Sequence, residues 1–225
     1  MNIAAEKQTQ LTGHKWQVSC LEFSPDGIHL ASGAWDKCVR IWDLSILDSV
    51  VLLEGHDAPV TDLSWRPTID DFRDFGIIAT SSADNTAKLW NSRNGKKLET
   101  LIDHSSWVLG TSFTSDGDVL ATSSWDKSIC LWNVQTAKLS GTFQGHSSGV
   151  WTCAFQPQNS SNLLCSGSED GILKLWDLRS KTTVQSLVGG HDDSVKSCSW
   201  SPDGQYVASA SADNKVCCFC RFSSS

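Results

Sequence analysis

Residues 33–43 read GAWDKCVRIWD, and residues 123–133 read SSWDKSICLWN. In each phrase an aspartate, Asp36 or Asp126, is followed six residues later by a tryptophan, Trp42 or Trp132. A second tryptophan, Trp35 or Trp125, stands directly before the aspartate, where a turn normally takes something small and polar. The spacing marks a repeat, and the extra tryptophan needs a reason.

The pattern extends over most of the chain. Histidines 14, 56, 104, 146 and 191 each open a unit, in the settings GHKWQV, GHDAPV, DHSSWV, GHSSGV and GHDDSV, at spacings of 42, 48, 42 and 45 residues. Four residues after each histidine stands a valine (Val18, Val60, Val108, Val150, Val195), and nine after it a large aromatic (Phe23, Trp65, Phe113, Phe155, Trp200). Each unit then brings an aspartate, Asp36, Asp84, Asp126, Asp170 or Asp213, with Ser32, Thr80, Thr122, Ser166 or Ser209 four residues before it. Six residues beyond the aspartate come Trp42, Trp90, Trp132, Trp176 and, in the last unit, Phe219. Five points held in five copies mean internal repetition.

Within a unit the segments read as β-strands. VSCLEF, HLASGA and CVRIWDL are short, rich in β-branched and aromatic residues, and separated by turn signals such as SPDG at 24–27 and 201–204. This predicts about four strands per unit and no helix. Valine and aromatic lie five apart, hence on opposite faces of a regular strand, and a β-bulge between them brings both inside. RPTIDDFRDFG (66–76) and QPQNSSN (156–162) lengthen the second and fourth units between their first and second strands, and read as loops.

Composition narrows the function classes. With 18 Lys plus Arg against 25 Asp plus Glu, a broad electrostatic grip on nucleic acid or on an anionic membrane is disfavoured. There is no transmembrane-like span, and the opening MNIAAEKQTQ is too polar for a secretory h-region, so an intracellular protein of cytoplasm or nucleus is expected. Nine cysteines lie in apolar strand-like runs with one left over from any pairing, which suits buried thiols. Cys217 and Cys220 form a lone CxxC without a second ligand pair at zinc spacing, so neither a metal nor a cofactor is expected.

These repeats resemble the WD40 (beta-transducin) family, whose units carry a GH pair and then a WD pair. GH is intact in four units and becomes Asp103-His104 in the third; WD is intact as Trp42-Asp43 and Trp176-Asp177, becomes Trp-Asn twice, and ends as Phe219-Cys220. The likeness covers Thr9 to Phe219. It implies an all-β propeller of five repeats, a single domain over 9–222 with flexible termini at 1–8 and 223–225, in which the strand near Thr9–Leu11 completes the last blade as a clasp. Five blades are few for a family more often built from seven, which leaves a short form, a fragment, or a ring finished with a partner.

Ser, His and Asp in every unit invite a hydrolase reading, but a triad needs one nucleophile in one open pocket. The resemblance implies instead a buried relay in which Trp donates to Ser or Thr, which bonds His, which bonds Asp: Trp42, Ser32, His14 and Asp36; Trp90, Thr80, His56 and Asp84; Trp132, Thr122, His104 and Asp126; Trp176, Ser166, His146 and Asp170. Phe219 breaks the fifth copy. No Gly-rich phosphate loop or paired carboxylates argue for catalysis, so the expectation is a non-enzymatic protein.

Of eleven tryptophans, four belong to the relays and Trp65 and Trp200 to the aromatic strand position. Trp16, Trp35, Trp107, Trp125 and Trp151 remain. By resemblance their positions surround one rim of the central channel, where WD40 domains usually hold peptides, and Glu169 and Lys196 occupy matching places. Tryptophan is favoured at binding hot spots for its large rigid surface. The expected function is therefore a protein-interaction scaffold that holds a peptide or protein partner on this rim, in a multi-subunit complex or as a structural subunit of one. The run LWDLR (175–179), with a looser copy LWNSR (89–93), also resembles the WDxR box by which some WD40 proteins dock on a cullin ubiquitin-ligase adaptor, through Trp176, Asp177 and Arg179.

Overall fold

The structure, a computed structural model, describes residues 9–67, 76–157 and 162–220. These residues form strands and turns, without a helix. Four antiparallel sheets of four strands follow one another: β1 (Val18–Phe23), β2 (His29–Ala34), β3 (Val39–Asp43) and β4 (Asp48–Leu53); β5 (Val60–Trp65), β6 (Ile77–Ser82), β7 (Ala87–Asn91) and β8 (Lys97–Leu101); β9 (Val108–Phe113), β10 (Val119–Ser124), β11 (Ser128–Asn133) and β12 (Lys138–Gln144); β13 (Val150–Phe155), β14 (Leu163–Ser168), β15 (Leu173–Asp177) and β16 (Thr182–Leu187). A fifth has three strands, β17 (Val195–Trp200), β18 (Tyr206–Ser211) and β19 (Val216–Cys220). Strands pair in sequence order throughout, so each repeat is one sheet, or blade, of a β-propeller. The bulk of the two long loops, residues 68–75 and 158–161, and the stretches 1–8 and 221–225 expected to be tails lie outside the described residues.

Hydrophobic cores lie between successive blades. Ala31, Val39, Ile41 and Leu53 of the first pack with Val60, Leu63, Trp65 and Ile78 of the second, and three similar clusters follow around the arc. Each blade thus offers a back face to the next blade's first strand, the sheet-on-sheet arrangement that hides both apolar faces. Every first strand carries a register shift just after its valine: Val18 pairs with Ala34 and Cys20 with Gly33, Val60 with Ser82 and Asp62 with Ser81, and the same step recurs in β9, β13 and β17. The bulge re-phases the strand, so that Val60 and Trp65, Val108 and Phe113, and Val150 and Phe155 are all buried.

The five blades form an open arc. β1 and β17, the innermost strands of the two end blades, are not packed together as the other neighbouring first strands are. Val18, Leu21 and Phe23 are 45, 63 and 59% exposed, whereas their counterparts Val60, Leu63 and Trp65 are 0, 4 and 8% exposed. Opposite, Tyr206 and Val216 of the last blade are exposed as well. The expected clasp is corrected here. Thr9–Leu11 carries no strand, and β19 remains an edge among the described residues. The reason is positional: this segment leads into β1 at one end of the arc, while β19 lies at the other end. The thiols follow the same division. Cys130, Cys153, Cys165 and Cys198 are buried between blades, whereas Cys218 and Cys220 are exposed on the uncovered β19.

Candidate binding cavity

Each blade is tied internally by its relay. Trp42 Nε1 donates to Ser32 Oγ at 2.8 Å, His14 Nε2 lies 2.8 Å from the same oxygen, and His14 Nδ1 lies 3.0 Å from Asp36. Corresponding separations are 2.8, 2.8 and 2.7 Å for Trp90, Thr80, His56 and Asp84, and 2.9, 2.8 and 2.8 Å for Trp132, Thr122, His104 and Asp126. For Trp176, Ser166, His146 and Asp170 they are 2.8, 2.8 and 3.0 Å. In the fifth blade His191 reaches Ser209 at 2.7 Å and Asp213 at 3.0 Å, and Phe219 supplies no donor. One polarity satisfies every member, with indole N–H to hydroxyl, hydroxyl to Nε2, and Nδ1–H to carboxylate. Burial depresses His56 and His146 against the pull of Asp84 and Asp170, which keeps both imidazoles neutral. Burial pushes the Asp84 and Asp126 carboxyls up, but hydrogen bonds from His56 and Thr86, and from His104 and Ser128, outweigh it and hold both below the usual range. Thr80, Thr122 and Ser166 have no exposed surface, so these hydroxyls offer a substrate nothing.

The relay aspartate pins the turn that carries the extra tryptophan. Lys37 N–H donates to Ala34 O and Lys127 N–H to Ser124 O, with Lys37 and Lys127 at φ of 70 and 74°, so Trp35 and Trp125 occupy the second position of a β-turn, which tolerates most residues. Trp35 N–H donates to Gln17 O, Ala83 to Pro59 O, Trp125 to Trp107 O, Glu169 to Gly149 O and Ala212 to Ser194 O. These five residues are therefore one position seen five times. Alanine fills it twice, so the fold does not require the indole.

The bulges supply a second ring. The unpaired residue in each is Ser19, Thr61, Leu109, Trp151 or Lys196, and all five line a cavity of about 860 Å³ where the first strands converge. A bulge turns one side chain out of its ladder, and here each is turned inward. Trp35, Trp107 and Trp125 close the same cavity from the turns. Thus four of the five leftover tryptophans and Lys196 come together. Trp16, 70% exposed, is not among the lining residues, and Glu169 is not either, its carboxylate accepting instead from Ser148 Oγ at 2.7 Å.

Trp125 lies so close to the Gly149 backbone that a Cβ there would sit 2.7 Å from the ring, and it meets Trp151 edge-on at 5.2 Å and 82°. Lys196 Nζ stands 3.6 Å from the centroid of Trp151, within cation–π range. Trp151 Nε1 is buried without a hydrogen-bond partner among the described residues. Asp62, next to a bulge residue, also lines the cavity; it accepts from Thr111 N–H at 2.9 Å, and burial pushes its carboxyl up to about 6. Sequence reasoning missed Ser19, Thr61, Leu109 and Asp62. The available signal was the position after each valine, which reads Ser, Thr, Leu, Trp and Lys between otherwise fixed neighbours.

Asp177 of the LWDLR run accepts from Arg179 N–H at 2.7 Å and Ser180 N–H at 2.9 Å. Asp43, Asn91 and Asn133 accept in the same way from Ser45, Arg93 and Thr136. The residue after the relay tryptophan thus caps a turn in four blades, whether or not an arginine follows two positions later.

A family profile described as the IFT122 first beta-propeller matches residues 3–219. The chain is 31% identical, over 88% of its length, to the transcriptional corepressor LEUNIG_HOMOLOG of Arabidopsis thaliana, and covers 24% of that protein. It is 32% identical over 91% of its length to the ribosome biogenesis protein WDR12 homolog of Anopheles gambiae, covering 51%, and 25% identical over 92% to the nuclear distribution protein nudF of Aspergillus niger, covering 59%. The chain thus spans about a quarter to three-fifths of the length of these relatives.

Proposed function

The chain belongs to the WD40-repeat β-propeller family, and we propose that it works as a non-enzymatic interaction scaffold that holds a peptide segment of a protein partner in its tryptophan-lined cavity. One observation carries this reading: Trp35, Trp107, Trp125 and Trp151 meet around one concavity from positions that at least one other blade fills with a small residue, Ala83 and Ala212 for the first kind, Pro59, Gly149 and Ser194 for the second, and Ser19 and Thr61 for the third. Large rigid side chains kept where the fold accepts small ones are what binding hot spots are made of. The size of the cavity suits a few side chains of an extended peptide. Relatives whose names refer to corepression, nuclear distribution and ribosome biogenesis agree with a part played in protein assemblies.

The test is affinity capture with wild type beside a Trp35→Ala, Trp107→Ala variant. The variant is expected to fold and to lose partners that wild type retains. Capture of an unchanged set of partners would move the binding face elsewhere.

A further inference from the structure

We propose that the tryptophan cavity takes a cationic side chain, the lysine or arginine of a basic peptide segment. This deepens the peptide-recognition reading above and rests on it.

The walls come first. Trp35 and Trp107 are half exposed, and Trp125, also partly exposed, meets Trp151 edge-on in the same lining. Indole faces carry the negative lobe of the ring quadrupole, and several of them around one space form the kind of cage that holds ammonium and guanidinium groups. The chain itself supplies a demonstration. Lys196 places its ammonium 3.6 Å from the centroid of Trp151 and makes no ion pair among the described residues, so the indole is its partner. A cation is thus already seated on the fourth wall of the cavity.

Charge points the same way. Asp62 is among the lining residues, its carboxyl held behind the cavity wall by Thr111 N–H, and the chain carries a net charge of −7, which draws a basic segment toward it. An acidic side chain would meet Asp62 and the indole faces with only Lys196 in its favour. An uncharged one would gain apolar area but not the attraction of the indole faces for a cation. Lys196 therefore acts as a tuning residue, since it covers one indole face and repels a second cation.

The experiment is a tryptophan-fluorescence titration with three peptides identical except for one central residue: lysine, norleucine, or glutamate. The lysine peptide is expected to bind about tenfold tighter than the norleucine peptide, and the glutamate peptide weakest. Lys196→Gln is expected to strengthen lysine-peptide binding several-fold by removing the like charge and freeing the Trp151 face. Asp62→Asn is expected to weaken it, with melting curves confirming that both variants fold. Norleucine or glutamate binding as tightly as lysine, or Lys196→Gln weakening the lysine peptide, overturns the cation proposal, while loss of that binding in Trp35→Ala, Trp107→Ala leaves peptide recognition standing. No binding by any of the three overturns the proposal as well, and peptide recognition falls with it only if the double-tryptophan variant also keeps every captured partner.

Discussion

Lys196 and Trp151 are the same residue of successive repeats: each is the unpaired member of the bulge that follows the repeat valine, and their side chains meet across the blade boundary at 3.6 Å. The bulge that lets valine and aromatic share a core is also what aims one side chain per blade into the cavity. Packing and recognition therefore draw on one backbone irregularity, and the two can be separated by substitution.

Trp35 is half exposed, while Trp125 also packs on Gly149 and Trp151. Trp35→Ala should leave the thermal melt close to wild type. Trp125→Ala should cost about 1 kcal/mol for its lost aromatic contact, less than the 3–5 kcal/mol of a core aromatic. Both should weaken partner binding by about 2 kcal/mol or more in titration. A cost above about 3 kcal/mol for Trp35→Ala would make it a packing residue.

Phe23 and Phe113 hold one repeat position but differ in exposure, 59 against 8%. Phe113→Ala should cost about 3–5 kcal/mol in denaturant unfolding and Phe23→Ala less than about 1 kcal/mol. Equal costs would mean that the bare face of the first blade is covered in solution.

The relays offer a loss and a gain. Asp126→Ala leaves His104 Nδ1 and the Ser105 and Ser128 N–H groups without their acceptor, for an expected cost of about 1–3 kcal/mol. In the last blade Phe219→Trp would place an indole N–H toward Ser209, already bonded to His191, and should add about 0.5–1.5 kcal/mol. Gly190 leaves room beneath that ring, as Gly55 and Gly145 do beneath Trp90 and Trp176. Differential unfolding of both variants checks the pair, and a destabilising Phe219→Trp would count against the donor role of the relay tryptophans.

Asp62 sets a pH dependence of known sign. Its folded pKa of about 6 lies above the ~3.9 of an unfolded aspartate, so its contribution to stability is complete below pH ~3.9 and is lost as pH rises through about 6. Asp62→Asn removes this loss, so the melting temperature of the variant should gain on wild type between pH 4 and pH 7. His56 and His146 act oppositely. Their pKa values are depressed by burial, so the stability they give is present above pH ~6.5 and is lost on acidification, in both proteins alike. A gap between wild type and variant that stays constant across this range would remove the buried-carboxylate effect.

The repeat, the strand content and the bulge were legible in the sequence, because each depends on separations of a few residues to one repeat length, and the relay partners were expected from the family resemblance. Val60 and Trp65 had to share a side, and only a bulge allows that. Tertiary structure alone decided the rest. Trp16 and Trp107 look alike in sequence, two and three residues past their histidines, yet only Trp107 turns into the cavity. Phe23 and Phe113 look alike, yet among the described residues only Phe113 packs against a preceding blade. Spacing fixes what a side chain does within its own blade, where strand pairing repeats faithfully. What it meets beyond that blade depends on how many blades pack together and where their arc stops, and no local pattern encodes that.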